Sequence, residues 1–317
     1  MEQKQLPVAA IVGPTGVGKT KISVTLAKML GAEIISADSM QIYKHLDIAT
    51  AKPSAAQMAG VPHHLLDILE PWEEYSAAQF VRDAGKKIEE ISARGHLPLL
   101  VGGTGLYVDS LLLGVSFAGE TGDRAYRGQL MERANKEGVL PLHTALQEID
   151  PESAARIHPN NVKRVVRALE IFHTTGKTMT WHIKNSKLAP SPYRACVIGF
   201  FRDRQSLYDR IDMRVDEMLK NGLVKEIQMV YNRKEGVSRT AAQALGYKEL
   251  VWYFRGLSTF DEAVAILKRD TRRYAKRQMT WFQKNPNTHW VDLGHKTEKQ
   301  AAEECYTILK QYGGVFL

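Results

Sequence analysis

Apolar positions along this chain follow two rhythms, and their alternation predicts the architecture. Short, nearly continuous apolar runs at Val8-Ala9-Ala10-Ile11-Val12, 32–38, Leu97-Pro98-Leu99-Leu100-Val101, 195–201 and 289–293 have the length and character of buried strands. Between them, apolar residues recur at helical spacing. A stretch from Lys19 to Leu30 closes at Gly31. A second opens at Ser76, carries Phe80, Ala84, Ile88 and Ile91 on one face, and closes at Gly95. Another begins near Thr104 and ends near Gly114, and later helices are expected at 205–221, 223–232, 246–255, 260–284 and 298–312. The stretch between 39 and 75, broken by Pro53, Pro62 and Pro71, is expected to hold a loop and short helical segments. Strand and helix alternating in this way predict an α/β fold with a parallel sheet flanked by helices.

The rhythm changes from residue 116 to 193. Strands vanish and helix formers mix with His, Arg and Lys. The clearest element follows His158-Pro159-Asn160 and runs over 161–175 to Gly176. Val162, Val165, Val166, Leu169 and Phe172 form its apolar stripe, with Lys163, Arg164 and Arg167 on the other side. Ala189-Pro190-Ser191-Pro192 reads as a linker. The expected organisation is therefore a core of residues 1–115 and 194–317, with an all-helical domain inserted at 116–193.

Composition narrows the function classes. The 317 residues are 44% hydrophobic and 25% charged, as in ordinary globular proteins. No apolar run approaches the roughly 20 residues that span a bilayer, and the N-terminal residues carry no signal-peptide core. The only cysteines, Cys196 and Cys305, lie far apart without zinc-site partners, which argues against a disulfide framework and for a cytoplasmic location. The formal net charge of +8 suits a polyanionic partner. Charge concentrates on the helix expected at 260–284, where Lys268, Arg269, Arg272, Arg273, Lys276, Arg277 and Lys284 face only Asp270. Like charges at i, i+4, i+7 and i+8 destabilise an isolated helix, so either an anionic partner or plain solvation has to offset them.

The most specific chemical signal is Gly13-Pro14-Thr15-Gly16-Val17-Gly18-Lys19-Thr20, a complete G-x-x-x-x-G-K-[ST] phosphate loop between a strand and a helix. Its backbone N–H groups would cradle phosphate at a helix N-terminus, Lys19 would reach the outer phosphates, and the Thr20 hydroxyl would sit on magnesium. This fixes the binding of a di- or triphosphate but not the reaction. Strand 97–101 ends in Gly-Gly-Thr, where a nucleotide hydrolase would carry a magnesium-holding Asp. The acidic strand end belongs instead to Asp38, which would point into the ligand crevice either to hold magnesium through water or to act as a base.

Together with the loop, several further stretches resemble the tRNA dimethylallyltransferases (tRNA isopentenyltransferases). They are Ser36-Ala37-Asp38-Ser39-Met40-Gln41-Ile42-Tyr43, Asp47-Ile48-Ala49-Thr50-Ala51-Lys52-Pro53, His63-His64-Leu65-Leu66-Asp67, Val101-Gly102-Gly103-Thr104-Gly105-Leu106-Tyr107, Arg167-Ala168-Leu169-Glu170, Gly246-Tyr247 and Lys276-Arg277-Gln278-Met279-Thr280-Trp281. The resemblance runs from about residue 7 to the end in order and spacing. It implies a P-loop NTPase-like core and transfer of a dimethylallyl group from its pyrophosphate to N6 of the adenosine 3′ of the anticodon. It also implies that Gly13 through Thr20 and Arg214 hold the donor, and that Lys19, Thr20 and Mg2+ stabilise the departing pyrophosphate. Thr104 would hydrogen-bond the leaving oxygen, and Asp38 would take the proton from N6. Implied RNA contacts are Asp38, Ser39, Met40, Gln41, Thr104, Arg127, Lys163, Arg164, Arg167, Arg273, Lys276, Arg277 and Gln278, on the anticodon stem-loop with the target base flipped out. The chain departs from the family pattern at Gly16-Val17, Lys163-Arg164 and Lys248-Glu249. It lacks a Cys/His zinc finger, which implies a bacterial-type enzyme, and no dimerisation signature is evident, so a monomer is expected.

Other readings compete residue by residue. Thr104 is placed to cap a helix, Gln41 to be solvated, Arg214 to form a surface ion pair, and His63 and His64 to be structural. Three rival functions share the same motifs: an ATP-dependent nucleoside or small-molecule kinase, a prenyltransferase acting on free AMP, and a non-catalytic RNA-binding module.

Overall fold

Alternation within β1 (Leu6–Val12) builds two cores at once. Val8, Ala10 and Val12 enter one apolar cluster, while Ala9 and Ile11 enter another on the opposite face. A strand covered on both faces is the setting of a parallel sheet with helices on either side. The structure, a computed structural model, describes residues 5–115, 122–186, 190–312 and 316.

After β1 come α1 (Lys19–Leu30), β2 (Ala32–Ala37), α2 (Ala55–Met58), β3 (His63–His64), α3 (Ala77–Ala93), β4 (Leu97–Gly102) and α4 (Gly105–Leu112). Five helices follow: α5 (Arg124–Glu137), α6 (Leu140–Ile149), α7 (Pro151–Arg156), α8 (Val162–Thr175) and α9 (Met179–Ser186). The chain returns as β5 (Tyr193–Phe201), α10 (Arg204–Lys220), α11 (Leu223–Tyr231), α12 (Tyr247–Phe254), α13 (Phe260–Phe282), β6 (Thr288–Asp292) and α14 (Glu298–Gln311). The described strands form one parallel sheet in the order β3-β2-β4-β1-β5-β6. β1 is central, with Ala9 opposite Leu99 of β4 and Cys196 of β5. The chain divides into two compact units, Met1–Leu112 with Pro192–Leu317, and Leu113–Ser191.

The stretch between Asp38 and Ser76 departs from expectation by containing β3. Two residues are too short for any alternation to register, and burial chemistry places them. Glu33 on β2 is 4% exposed and accepts from Arg94 Nη2 at 2.7 Å, with His64 Nε2 at 2.6 Å and His96 Nδ1 at 2.7 Å. Burial alone would raise the Glu33 carboxyl, but the hydrogen bonds from Arg94, His96 and His64 outweigh it and hold it down at about 2. His63 bonds Val61 O through Nδ1 at 2.8 Å. Both histidines therefore have a structural role at the sheet edge.

In the helical unit the core is formed by Leu130, Leu142, Leu146, Ile157, Val165, Val166 and Leu169 among others. Four helices beyond α8 emerge here; α5, α7 and α9 carry too few apolar residues to mark them in sequence, and α6, though apolar, is only ten residues long. Phe172, expected in the α8 stripe, is 36% exposed, whereas Glu170 is fully buried. The linker residue Ala189 lies outside the described residues.

Candidate active site

The site assembles where β1, β2 and β4 end, outside the carboxyl edge of the sheet. The phosphate loop leaves β1 and enters α1 through Gly18, a left-handed N-cap with φ 113°. Lys19 Nζ donates to Gly13 O and Pro14 O, each at 2.9 Å. Burial pushes its ammonium down to about 8; Asp38 opposes this shift and Arg214 adds to it. Arg214 of α10 approaches Thr15 Oγ1 at 3.4 Å, and its own value is lowered by burial. Two other guanidiniums brace loop carbonyls, Arg210 to Gly16 O at 3.2 Å and Arg202 to Val17 O at 3.1 Å. The loop is thus ringed by cations before any anion arrives.

Two cavities within the core unit meet here. One of about 640 Å³ is lined by Thr15, Gly16, Gly18, Lys19, Thr20 and Gln41 among others. The other, of about 460 Å³, is lined by Met40, Leu245, Leu267, Arg273, Tyr274 and Arg277 among others. Thr15, Asp38, Arg214 and Met218 border both. Asp38 therefore stands where a ligand on the phosphate loop and a ligand in the second cavity would meet.

Main-chain geometry fixes that position. A Cβ on Gly102 would lie 2.1 Å from Ala37 O, so only glycine lets β4 end this close to β2. Asp38 follows β2, and its Oδ1 accepts from Met40 N at 2.9 Å and Gln41 N at 3.4 Å. Thr104, which follows β4, accepts the Ser39 N–H at 3.0 Å through its hydroxyl and donates to Ser39 Oγ at 3.3 Å. Thr104 is thus the staple between the two strand ends. Tyr274 lines the second cavity, and burial together with the Asp38 charge pushes its phenol up.

Several of the expected RNA contacts are also engaged inside the protein. Gln278 is 5% exposed; its Oε1 accepts the Thr15 N–H at 2.8 Å and its Nε2 donates to Gly103 O at 2.8 Å. It is a buried brace rather than an exposed contact, because both ends of its amide are consumed inside the protein. Gln41 is likewise turned inward, accepting from Ser36 Oγ at 3.1 Å and donating to Thr50 O at 3.3 Å. Arg127 and Arg167, expected on RNA phosphates, both bond the buried Glu170 of the helical unit, at 2.7 and 2.9 Å. Lys163 and Arg164 are exposed on α8, as are Arg273, Lys276 and Arg277 on α13. The basic helix is less bare than its own sequence suggests. Lys268 pairs with Asp216 at 2.6 Å, Arg272 bonds both Asp212 oxygens at 2.6 Å, and both acids come from α10. The charge count along α13 could not include acids on a neighbouring helix.

Sequence reasoning also passed over residues that shape the site. Tyr274 was hidden among the charges of α13, four positions before Gln278. Glu226 of α11, 8% exposed, accepts the N–H groups of Asp47, Ile48 and Ala49 at 2.8–2.9 Å and so anchors the loop lining both cavities. Its signal was legible: a carboxylate sharing a buried face with Leu223, Ile227 and Val230. Lys52 ties the same loop through Tyr43 O, Asp47 and Asp67.

The donor set can be tested against magnesium. Among the described residues no cluster of three His, Cys, Asp or Glu side chains could hold a metal. Thr20 and Asp38 line the phosphate-loop cavity, which suits a magnesium ion held mainly by phosphate oxygens and water.

Comparison with known proteins agrees with this geometry. A family model described as IPP transferase matches residues 41–285, and one described as isopentenyl transferase matches residues 6–68. The chain is 47% identical over 311 residues to a tRNA dimethylallyltransferase of Bacillus licheniformis, covering 98% of each. It resembles the crystal structure of a tRNA isopentenylpyrophosphate transferase from Bacillus halodurans with a TM-score of 0.72 and 45% identity, covering 98% of this chain and 96% of that one. It also resembles a eukaryotic dimethylallyltransferase acting on tRNA, with a TM-score of 0.83 and 27% identity over 97% of this chain and 79% of that one. With the phosphate loop, Asp38 and Thr104 gathered at the strand ends and these matches spanning the chain, the protein belongs to the IPP transferase family.

Proposed function

We propose that this protein transfers a dimethylallyl group from dimethylallyl pyrophosphate to N6 of the adenosine 3′-adjacent to the anticodon of tRNA, releasing pyrophosphate. Its relatives are tRNA dimethylallyltransferases, and none of those compared is a kinase. The observation that carries the reading is the shared border of the two cavities at Asp38, Thr15 and Arg214. Pyrophosphate on the phosphate loop would place its allylic carbon toward that border, and adenine in the second cavity would bring N6 to it.

In this reading the allylic C–O bond breaks and its electron pair leaves with pyrophosphate. The N6 lone pair forms the new C–N bond, and the N6 proton passes to Asp38. Loop N–H groups, Lys19 and Arg214 stabilise the growing negative charge in a site already organised for it. Magnesium, held by Thr20, would neutralise further pyrophosphate charge when bound. The carboxylate is oriented by Met40 and Gln41 N–H bonds to Oδ1, which leaves Oδ2 to take the proton. Thr104 keeps Ser39, the neighbour of Asp38, in register, and its hydroxyl would turn to the leaving oxygen once the donor is bound. Lys163, Arg164, Arg273, Lys276 and Arg277 supply exposed cations for tRNA phosphates. A cytoplasmic location and a monomeric state complete the proposal; no helix of the described residues is long and apolar enough to cross a membrane.

The test is nucleoside mass analysis of unmodified tRNA incubated with purified protein, magnesium and dimethylallyl pyrophosphate. N6-dimethylallyladenosine should form in step with pyrophosphate. ADP release from ATP, with tRNA unmodified, would instead establish the kinase reading.

A further inference from the structure

Within the helical unit, one carboxylate is buried completely and surrounded by cations that are not. Glu170 of α8 is 0% exposed, whereas the side chains of Arg127 on α5 and Arg167 on α8 are 40% and 36% exposed. Arg127 donates to Glu170 Oε2 from Nε at 3.1 Å and from Nη2 at 2.9 Å, and to Oε1 from Nη2 at 2.7 Å. Arg167 Nη1 donates to the same Oε2 at 2.9 Å. Two guanidiniums from different helices thus converge on a single oxygen. The backbone closes over the group: a Cβ on Gly122 would fall 2.5 Å from Glu170 Oε1 and 2.7 Å from Arg127 Nη2.

Such a carboxylate is costly to bury and makes a poor stabiliser compared with an apolar residue. What it does supply is placement. Two like charges would otherwise spread apart; bonded to one oxygen they stay adjacent and lose little side-chain entropy on meeting a third partner. Each guanidinium carries five N–H groups, more than Glu170 receives, so both retain donors for a second anion. Planar forks held side by side match the oxygens of a phosphodiester. We propose that Glu170 is a positioning residue that sets Arg127 and Arg167 as one preorganised clamp for the phosphodiester backbone of the RNA substrate. The inference rests on the tRNA reading above.

The proposal makes a prediction opposite in sign to simple electrostatics. Glu170→Gln removes a negative charge from an RNA-binding unit, which by Coulomb attraction alone should tighten binding. With the clamp dispersed, tRNA affinity should instead fall about tenfold and the salt slope shrink by about 1 to 2. The measurement is fluorescence anisotropy with unmodified tRNA across a salt series, alongside donor affinity, which should not change, and circular dichroism for retained helicity. The Arg127→Gln/Arg167→Gln double variant should lose as much as Glu170→Gln, and adding Glu170→Gln to it should lose nothing more. Arg127→Lys keeps the charge and leaves Glu170 paired with Arg167, so it covers the case in which Glu170→Gln unfolds the unit; a loss of severalfold is expected. A folded Glu170→Gln variant that binds tRNA as tightly as the unaltered protein, or an Arg127→Lys variant with full affinity, overturns the clamp. Transfer activity is not the readout. A protein that bound tRNA through this pair yet made no prenylated adenosine would sink the function proposed above and leave the clamp standing.

Discussion

Gln278 holds the phosphate loop from outside: its side-chain carbonyl accepts the backbone N–H of Thr15 at 2.8 Å, across 263 residues of chain. The other end of the same amide donates to Gly103 O, so one side chain joins the loop after β1 to the turn after β4. Gln278→Ala would leave the half-buried Thr15 N–H and the buried Gly103 carbonyl unpaired, the latter costing about 1 to 3 kcal/mol. The expected result is a lowered melting temperature together with a raised KM for the donor. A variant with unchanged donor KM would reduce Gln278 to packing.

Asp38→Asn keeps the shape of the turn but removes the proton acceptor. Prenyl transfer should fall by about a hundredfold to ten-thousandfold, the range for loss of a general base. Donor and tRNA affinities should stay near those of the unaltered protein. Substantial turnover in single-turnover assays would take Asp38 out of the proton transfer.

The lowered value of Lys19 gives donor binding a pH limb. In the free protein its ammonium is charged below about 8 and neutral above. Donor affinity should be flat on the acid side of this value and decline on the alkaline side, with proton uptake on binding as pyrophosphate restores the charge. Calorimetry in buffers of different ionisation enthalpy measures that uptake. Lys19→Ala should weaken donor binding and abolish the limb.

Glu226→Gln replaces a carboxylate serving three backbone N–H groups with an amide that serves them less well. Because the anchored loop lines both cavities, KM should rise for tRNA and donor together while the chemical step, measured at saturation, changes less. A kcat loss with neither KM affected would contradict an anchoring role.

Glu33 makes an acid-stability prediction. Its folded value of about 2 lies below the ordinary 4.5, so its contribution is complete above about 4.5 and fades as pH falls toward 2. Glu33→Gln should lower stability at neutral pH and flatten the acid limb of urea-unfolding stability plotted against pH. An unaltered limb would assign it to other carboxylates.

What could be read from sequence followed the reach of each signal. α1 and α3 were legible to within a residue or two because caps and periodicity are local, with Gly31 and the Ser76–Gln79 capping box marking the boundaries. The phosphate loop and Asp38 were legible because strand ends in an α/β sheet converge on one crevice. The reciprocal bonds of Gln278, the acids that neutralise Lys268 and Arg272, and the approach of Arg127 to Glu170 were not legible, since each joins residues on separate elements. Gln278, Lys268, Arg272 and Arg127 were read as outward-facing because their partners lie far away in sequence.

The absent side chain at Gly102 has one more consequence. With Ala37 O where a Cβ would otherwise sit, the strands carrying Asp38 and Thr104 abut main chain to main chain. The distance between acid and hydroxyl is therefore a lattice constant of the sheet rather than a product of surrounding bulk. Substitutions in the apolar layers can soften the molecule without drawing those two groups apart, whereas a single methyl at residue 102 would pry the reaction centre open from beneath.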